Sequence, residues 1–99
     1  MDLDNRVLQE GEFGCMLEYI VMKTTQYFQY TRQRPDRIMI LDEWIKRVIK
    51  NPLREEVQSD GRIRRWARIE EMENRVLRVI LLEDGETIHN AFFDRSFKE

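Results

Sequence analysis

Residues 62–93 read RIRRWARIEEMENRVLRVILLEDGETIHNAFF, and this stretch decides the fold. Arg62 to Glu70 alternate for most of their length. Ile63, Ala67 and Ile69 fall on one side, and Arg62, Arg64, Trp66 and Arg68 on the other, as period 2 requires of a half-buried strand. Arg65 breaks the pattern by falling on the Ile side. Arg75 to Leu82 is a dense run of Val, Ile and Leu, the composition of a central strand. Glu86 to Phe93 returns as a third strand after Asp84-Gly85, a strong hairpin signal because a two-residue type I′ turn needs positive φ at both central residues. The stretch predicts an antiparallel three-stranded meander.

A two-residue loop at Asp84-Gly85 would set Leu81 opposite Ile88, Ile80 opposite His89, Val79 opposite Asn90, Arg78 opposite Ala91 and Leu77 opposite Phe92. Cross-strand partners share a face. One face then collects Leu77, Val79, Leu81, Ile88 and Phe92, with Asn90 as its polar member. The other collects Arg78, Ile80, His89, Ala91 and Phe93.

Upstream, Asp42 to Asn51 carries the clearest helical pattern. Trp44, Ile45, Val48 and Ile49 form one apolar stripe, Asp42 and Glu43 suit the N-terminal dipole, and Asn51-Pro52 closes the helix. That stripe is the natural cover for the apolar face of the sheet. Lys23 to Arg34 fits either a short helix capped by Thr24 or Thr25 or an extended strand, and Pro35 ends it. Arg34-Pro35-Asp36-Arg37 reads as a turn, and Asp60-Gly61 as another. The whole predicts one α+β domain: one or two helices packed on one face of a three- to four-stranded antiparallel sheet that ends in the meander. Residues 1–22 are expected to be a weakly ordered leader with a short apolar segment, and residues 23–99 the single α+β domain.

Composition narrows the class. The chain has 99 residues, enough for one modest core. It is 36% charged with a net charge of −2, and Asp2, Asp4, Glu10, Glu12 and Glu18 place an acidic excess before the domain. Arg dominates the cations, and only Lys23, Lys46, Lys50 and Lys98 are lysines. Arg suits bidentate contact with carboxylate or phosphate. The lone Cys15 forms no internal disulfide, and one Cys with one His makes no structural zinc site. No apolar run reaches the ~20 residues of a membrane helix. A cytoplasmic protein with no cofactor, no metal and no membrane association is expected.

Two constellations point to chemistry. Arg62, Arg64, Arg65 and Arg68 surround Trp66, a surface able to neutralise phosphates and stack a base. The same residues also suit a solvated strand whose arginines pair with Glu70, Glu71 and Glu73 while Trp66 packs in the core. Arg78 and His89 share a face in the register above. A histidine that shuttles protons beside an arginine that stabilises phosphorane charge would suit metal-free RNA cleavage. A histidine satisfied within the sheet is the plainer alternative. Asp94 and Arg95 either pair with each other or leave Arg95 turned toward the basic face.

The order of an aromatic-polar element, DEWIKRVIKNP (Asp42 to Pro52), DGRIRRWA (Asp60 to Ala67), LRVIL (Leu77 to Leu81) and AFFDR (Ala91 to Arg95) resembles small bacterial proteins, cyanobacterial ones especially, that carry a DUF4258-like domain. These are similar in layout to toxins of the RelE and BrnT type. Where such sequences usually carry a His-Ala pair in the first helix, this one reads Gln26-Tyr27-Phe28. The resemblance implies a toxin-like RNA-binding protein of a toxin–antitoxin pair, with metal-independent endoribonuclease activity as its fullest form. It carries over Arg64, Arg65, Arg78, His89 and Arg95; joined to the strand reading above, this makes Arg78, His89 and Arg95 the catalytic candidates and Arg62, Arg64, Arg65, Trp66 and Arg68 the RNA-binding candidates. An antitoxin and RNA would be the partners. The alternative is a non-enzymatic protein-interaction module or homodimer, with Phe92, Phe93, Phe97 and the edge strand as its interface.

Overall fold

The apolar stripe of the Asp42 helix faces a sheet, as its periodicity requires. The computed structural model describes residues 22–98. In chain order these form helix α1 (Gln26–Thr31), helix α2 (Asp42–Lys50), strand β1 (Arg54–Val57), strand β2 (Ile63–Ile69), a 3-10 turn (Glu70–Met72), strand β3 (Arg75–Leu81) and strand β4 (Ile88–Phe93). The sheet is antiparallel throughout, in the order β1-β2-β3-β4. The α+β architecture and the C-terminal meander read from the sequence are both present. The expected leader lies outside the described residues except for Met22, which packs against the core.

Both helices cover one face. Phe28 from α1, Ile40, and Trp44, Ile45 and Val48 from α2 meet Ala67, Ile69, Leu77, Val79, Leu81, Ile88 and Ala91 in one buried cluster. Burying each large side chain there contributes on the order of 1.5–3 kcal/mol. Thr25 caps α1 by accepting a hydrogen bond from Phe28 N at 3.0 Å, which settles the helix-or-strand alternative for this segment. Asp42 lies inside the first turn of α2 with Glu43, and Leu41 precedes it without a side-chain cap. At the other end Arg65 donates to the Ile49 carbonyl at 3.0 Å, satisfying one of the helix's last acceptors.

Strand β1 was not legible as a strand. Its residues, REEV, are charged and exposed. Pairing makes it stable: Glu55 faces Arg65 with Nε–Oε2 at 2.5 Å, and Glu56 faces Arg64 at 3.8 Å. A short charged edge is also a poor template for further strands. The outer edge of β4 is protected differently. Ile88 N donates to Lys23 O at 2.8 Å, and Thr25 N donates to Ile88 O at 3.0 Å.

The register of the last hairpin differs from the one expected. Leu81 pairs with Ile88, but Ile80 then pairs with Asn90, Val79 with Ala91, Arg78 with Phe92 and Leu77 with Phe93. His89 is the extra residue of a β-bulge, and a one-residue slip exchanges faces. Ala91 and Phe93 therefore join the covered face, and Asn90 and Phe92 the open one. The turn differs too. Gly85 alone takes positive φ, at 71°, and Gly85 N donates to Leu82 O at 2.9 Å. The Asp84 carboxylate accepts from Glu86 N, Thr87 N and the Thr87 hydroxyl, and these hold its pKa down at about 2. Asp60-Gly61 joins β1 to β2 in a similar way, with Gly61 at φ 91° and Asp60 Oδ1 accepting from Arg62 N.

Candidate nucleic-acid interface

The face of the sheet opposite the helices presents Arg54 and Glu56 from β1, Arg64, Trp66 and Arg68 from β2, Val76, Arg78 and Ile80 from β3, and Asn90 and Phe92 from β4. Strand alternation places the residues of β2 there, and the bulge at His89 brings Phe92 opposite Arg78. The centre is Trp66, only 4% exposed. Its Nε1 donates to Asp94 Oδ2 at 2.9 Å, and the Arg54 and Arg78 guanidinium carbons lie 5.9 and 5.4 Å from its ring. Phe97, beyond β4, lies 5.7 Å from the same ring.

Asp94 organises this centre. Its carboxylate sits 3.2 Å from Arg78 Nη2, accepts the indole N–H, and accepts from Ser96 N and Oγ. Burial pushes its pKa up, but Ser96, the indole and Arg78 together hold it below the ordinary carboxylate value. Asp94 thus pairs with Arg78 and not with Arg95, correcting one of the two arrangements expected. Arg95 is exposed in the turn after β4. Phe92 lies 5.1 Å from the Arg78 guanidinium and 5.2 Å from that of Arg37, which also donates to Asn90 Oδ1 at 2.8 Å.

Two clefts flank Phe97. One, about 340 Å³, is lined by Arg54, Trp66, Arg78, Asp94, Ser96, Phe97 and Lys98. The other, about 230 Å³, is lined by Arg68, Asn74, Arg75, Val76, Phe93, Asp94, Arg95 and Phe97. Cations outnumber carboxylates in both.

The sequence-predicted residues divide between four places. Arg64, Trp66, Arg68 and Arg78 come together on the open face, and Arg95 lines the smaller of its two clefts. Arg65 is on the covered side, bound to Glu55 and Ile49, so it does not join them. Arg62 stays in the turn beside Asp60, at 3.7 Å. The ion pairs of Arg64 and Arg65 go to Glu56 and Glu55 of β1; Glu71, expected as a partner of this series, is taken by Arg47, through contacts of 2.9 and 3.0 Å.

His89 lies apart from Arg78. Its Nδ1 is 3.2 Å from the Thr25 hydroxyl, and its ring stacks on Tyr27 at 4.9 Å. The same hydroxyl accepts from Phe28 N, so one oxygen joins the helix cap to the His89 ring. Burial lowers the His89 pKa, the positive charge of Arg62 lowers it further, and Asp60 opposes them. The arrangement makes His89 a tie between β4 and the start of α1. Among the described residues, no three His, Cys, Asp or Glu side chains come together to hold a metal ion, and no helix is long and apolar enough to cross a membrane.

Comparison with protein-family models, with curated proteins and with solved structures finds no match. The site therefore stands on its own geometry. Sequence reasoning missed Arg54, because β1 was not seen, and missed the roles of Phe92 and Asn90, because the bulge was not. The Asp94–Arg78–Trp66 cluster had one available signal: Asp94 directly follows the third strand, where a side chain can return across the open face.

Proposed function

We propose that this chain is a toxin-like RNA-binding protein that holds single-stranded RNA on the open face of its sheet. The observation that carries the proposal is the charge division of that face. Arg54, Arg64, Arg68 and Arg78 stand on its strands, with Arg95 and Lys98 at its clefts, against Glu56 and Asp94. A basic surface with aromatic rings set among the cations suits a phosphate backbone with splayed bases. The geometry supports binding more than cleavage, since Arg78 and His89 are committed to different partners. Binding to a short RNA oligonucleotide should weaken with salt, with a log–log slope of about −0.7 for each phosphate neutralised. The RNA should remain intact. Salt-independent binding, or none, defeats the proposal.

A second reading is favoured by a separate observation. Tyr30, Ile38, Met39 and Leu41, in and after α1, are 71, 68, 44 and 47% exposed. An apolar strip of this kind suits a protein partner, either an antitoxin or a second copy of the chain. Light scattering on the wild type and on Ile38→Ser tests the homodimer, which requires a dimer mass that the substitution halves.

A further inference from the structure

The C-terminal segment resembles, group for group, what the open face would bind. We propose that Asp94 to Lys98 occupies a nucleotide-binding site and stands in there for one nucleotide of single-stranded RNA, an inference that rests on the RNA-binding reading above. Phe97 lies against Trp66 at 5.7 Å with the rings inclined by 38°, in the place of a stacked base. The Lys98 carbonyl accepts from Arg54 Nη1 at 2.9 Å, in the place of a phosphate oxygen. The Asp94 carboxylate engages Arg78 at 3.2 Å, in the place of a phosphate charge.

Trp66 is the reason for seeing a site and not ordinary packing. It is 4% exposed although it lies on the face the helices leave uncovered. Its neighbours there are the C-terminal segment and two guanidinium groups, which is the surround that a base and its phosphates would meet. Residues 95–98 are in neither a helix nor a strand, and among the described residues the hydrogen bonds of Ser96 run back to Asp94. From Arg95 onward, ties across to the sheet among the described residues include the Arg54 bond to Lys98 and the contacts of Phe97 with Trp66 and the Arg54 guanidinium. The adjoining cleft of about 340 Å³ gives a nucleotide a place to enter before the segment leaves. The segment and RNA then compete for Trp66, Arg54 and Arg78. Affinity measured on the intact chain is reduced by the fraction of molecules in which the segment is in place.

The test removes the ring that competes for Trp66 and leaves the arginines of the site in place. In Phe97→Ala, acrylamide should quench tryptophan fluorescence more strongly, because Trp66 becomes accessible while Trp44 stays in the core. Affinity for a single-stranded RNA oligonucleotide should rise roughly two- to tenfold, the equivalent of one aromatic pair. Phe97→Leu, which removes the ring but keeps an apolar side chain and every cation, should shift both readings the same way to a smaller extent, and it serves if the alanine variant fails to fold. Wild-type binding with no gain in either variant overturns this inference alone. So does a tryptophan that stays shielded in both. Absence of RNA binding in every variant, with Trp66 newly quenched, overturns the RNA reading instead and takes the nucleotide site with it.

Discussion

The two faces of one sheet follow different rules. The centre of the covered face is hydrocarbon: Ile69, Leu77, Val79, Leu81 and Ile88 are at most 1% exposed and are sealed by α1 and α2. The open face buries a tryptophan too, but under guanidinium groups, a carboxylate and a phenyl ring from the C-terminal segment. The first face is held by area removed from water, which is nondirectional and large. The second is held by paired charges and oriented rings, which individually contribute little when exposed and are replaceable by a ligand of like chemistry. The difference separates a face that must stay closed from one suited to exchange.

Substitution on each face makes the contrast measurable. Leu77→Ala should cost about 2–5 kcal/mol in denaturant unfolding, because it opens a cavity among groups that cannot relax into it. On the open face, Asp94→Ala should cost about 1–3 kcal/mol, leaving the indole N–H and Arg78 without their acceptor. Arg64→Ala should change stability by less than about 1 kcal/mol, since its partner Glu56 is an exposed edge residue. A larger loss at Arg64 than at Leu77 would break the comparison.

Much of the covered face was legible because burial imposes a period. The stripe of α2 and the run of β3 are each readable within one segment. What escaped depends on contacts between segments. The Arg-Glu pairs that make REEV a strand exist only once β2 lies beside it. The bulge places His89 where it meets Thr25 and Tyr27, and no local pattern encodes that meeting. The same bulge exchanged Phe92 with Phe93 and parted His89 from Arg78, so the candidate site was legible in its arginines and not in its geometry.

The connection between β2 and β3 offers a smaller effect. Glu73 and Asn74 take φ of 57° and 61°, a left-handed conformation that Asn tolerates better than Glu. Glu73→Gly should stabilise the fold by about 0.5–1 kcal/mol, after the entropic cost of glycine, without altering RNA affinity.

Titration gives the mildest perturbation. The Arg47 side chain holds Glu71 at a pKa of about 2, below the ordinary value of 4.5. A depressed carboxyl contributes stability that is present above its unfolded pKa and lost as pH falls through the folded one. Thermal melts should therefore fall between about pH 4.5 and pH 2, less steeply in Glu71→Gln. For His89 the unfolded chain takes up its proton first. Stability should decline as pH drops below about 6.5, and His89→Gln should flatten that step.

The central claim, that the open face is the functional one, is tested most directly by neutralising arginines on each side and measuring RNA affinity against salt. Replacing Arg64 and Arg95 by Gln should weaken binding at low salt and make the log–log slope shallower by roughly 0.7 for each lost phosphate contact. Replacing Arg32 and Arg47, which pair with Asp42 and Glu71 on the helical side, should leave both unchanged. Equal losses from the two pairs would contradict the account.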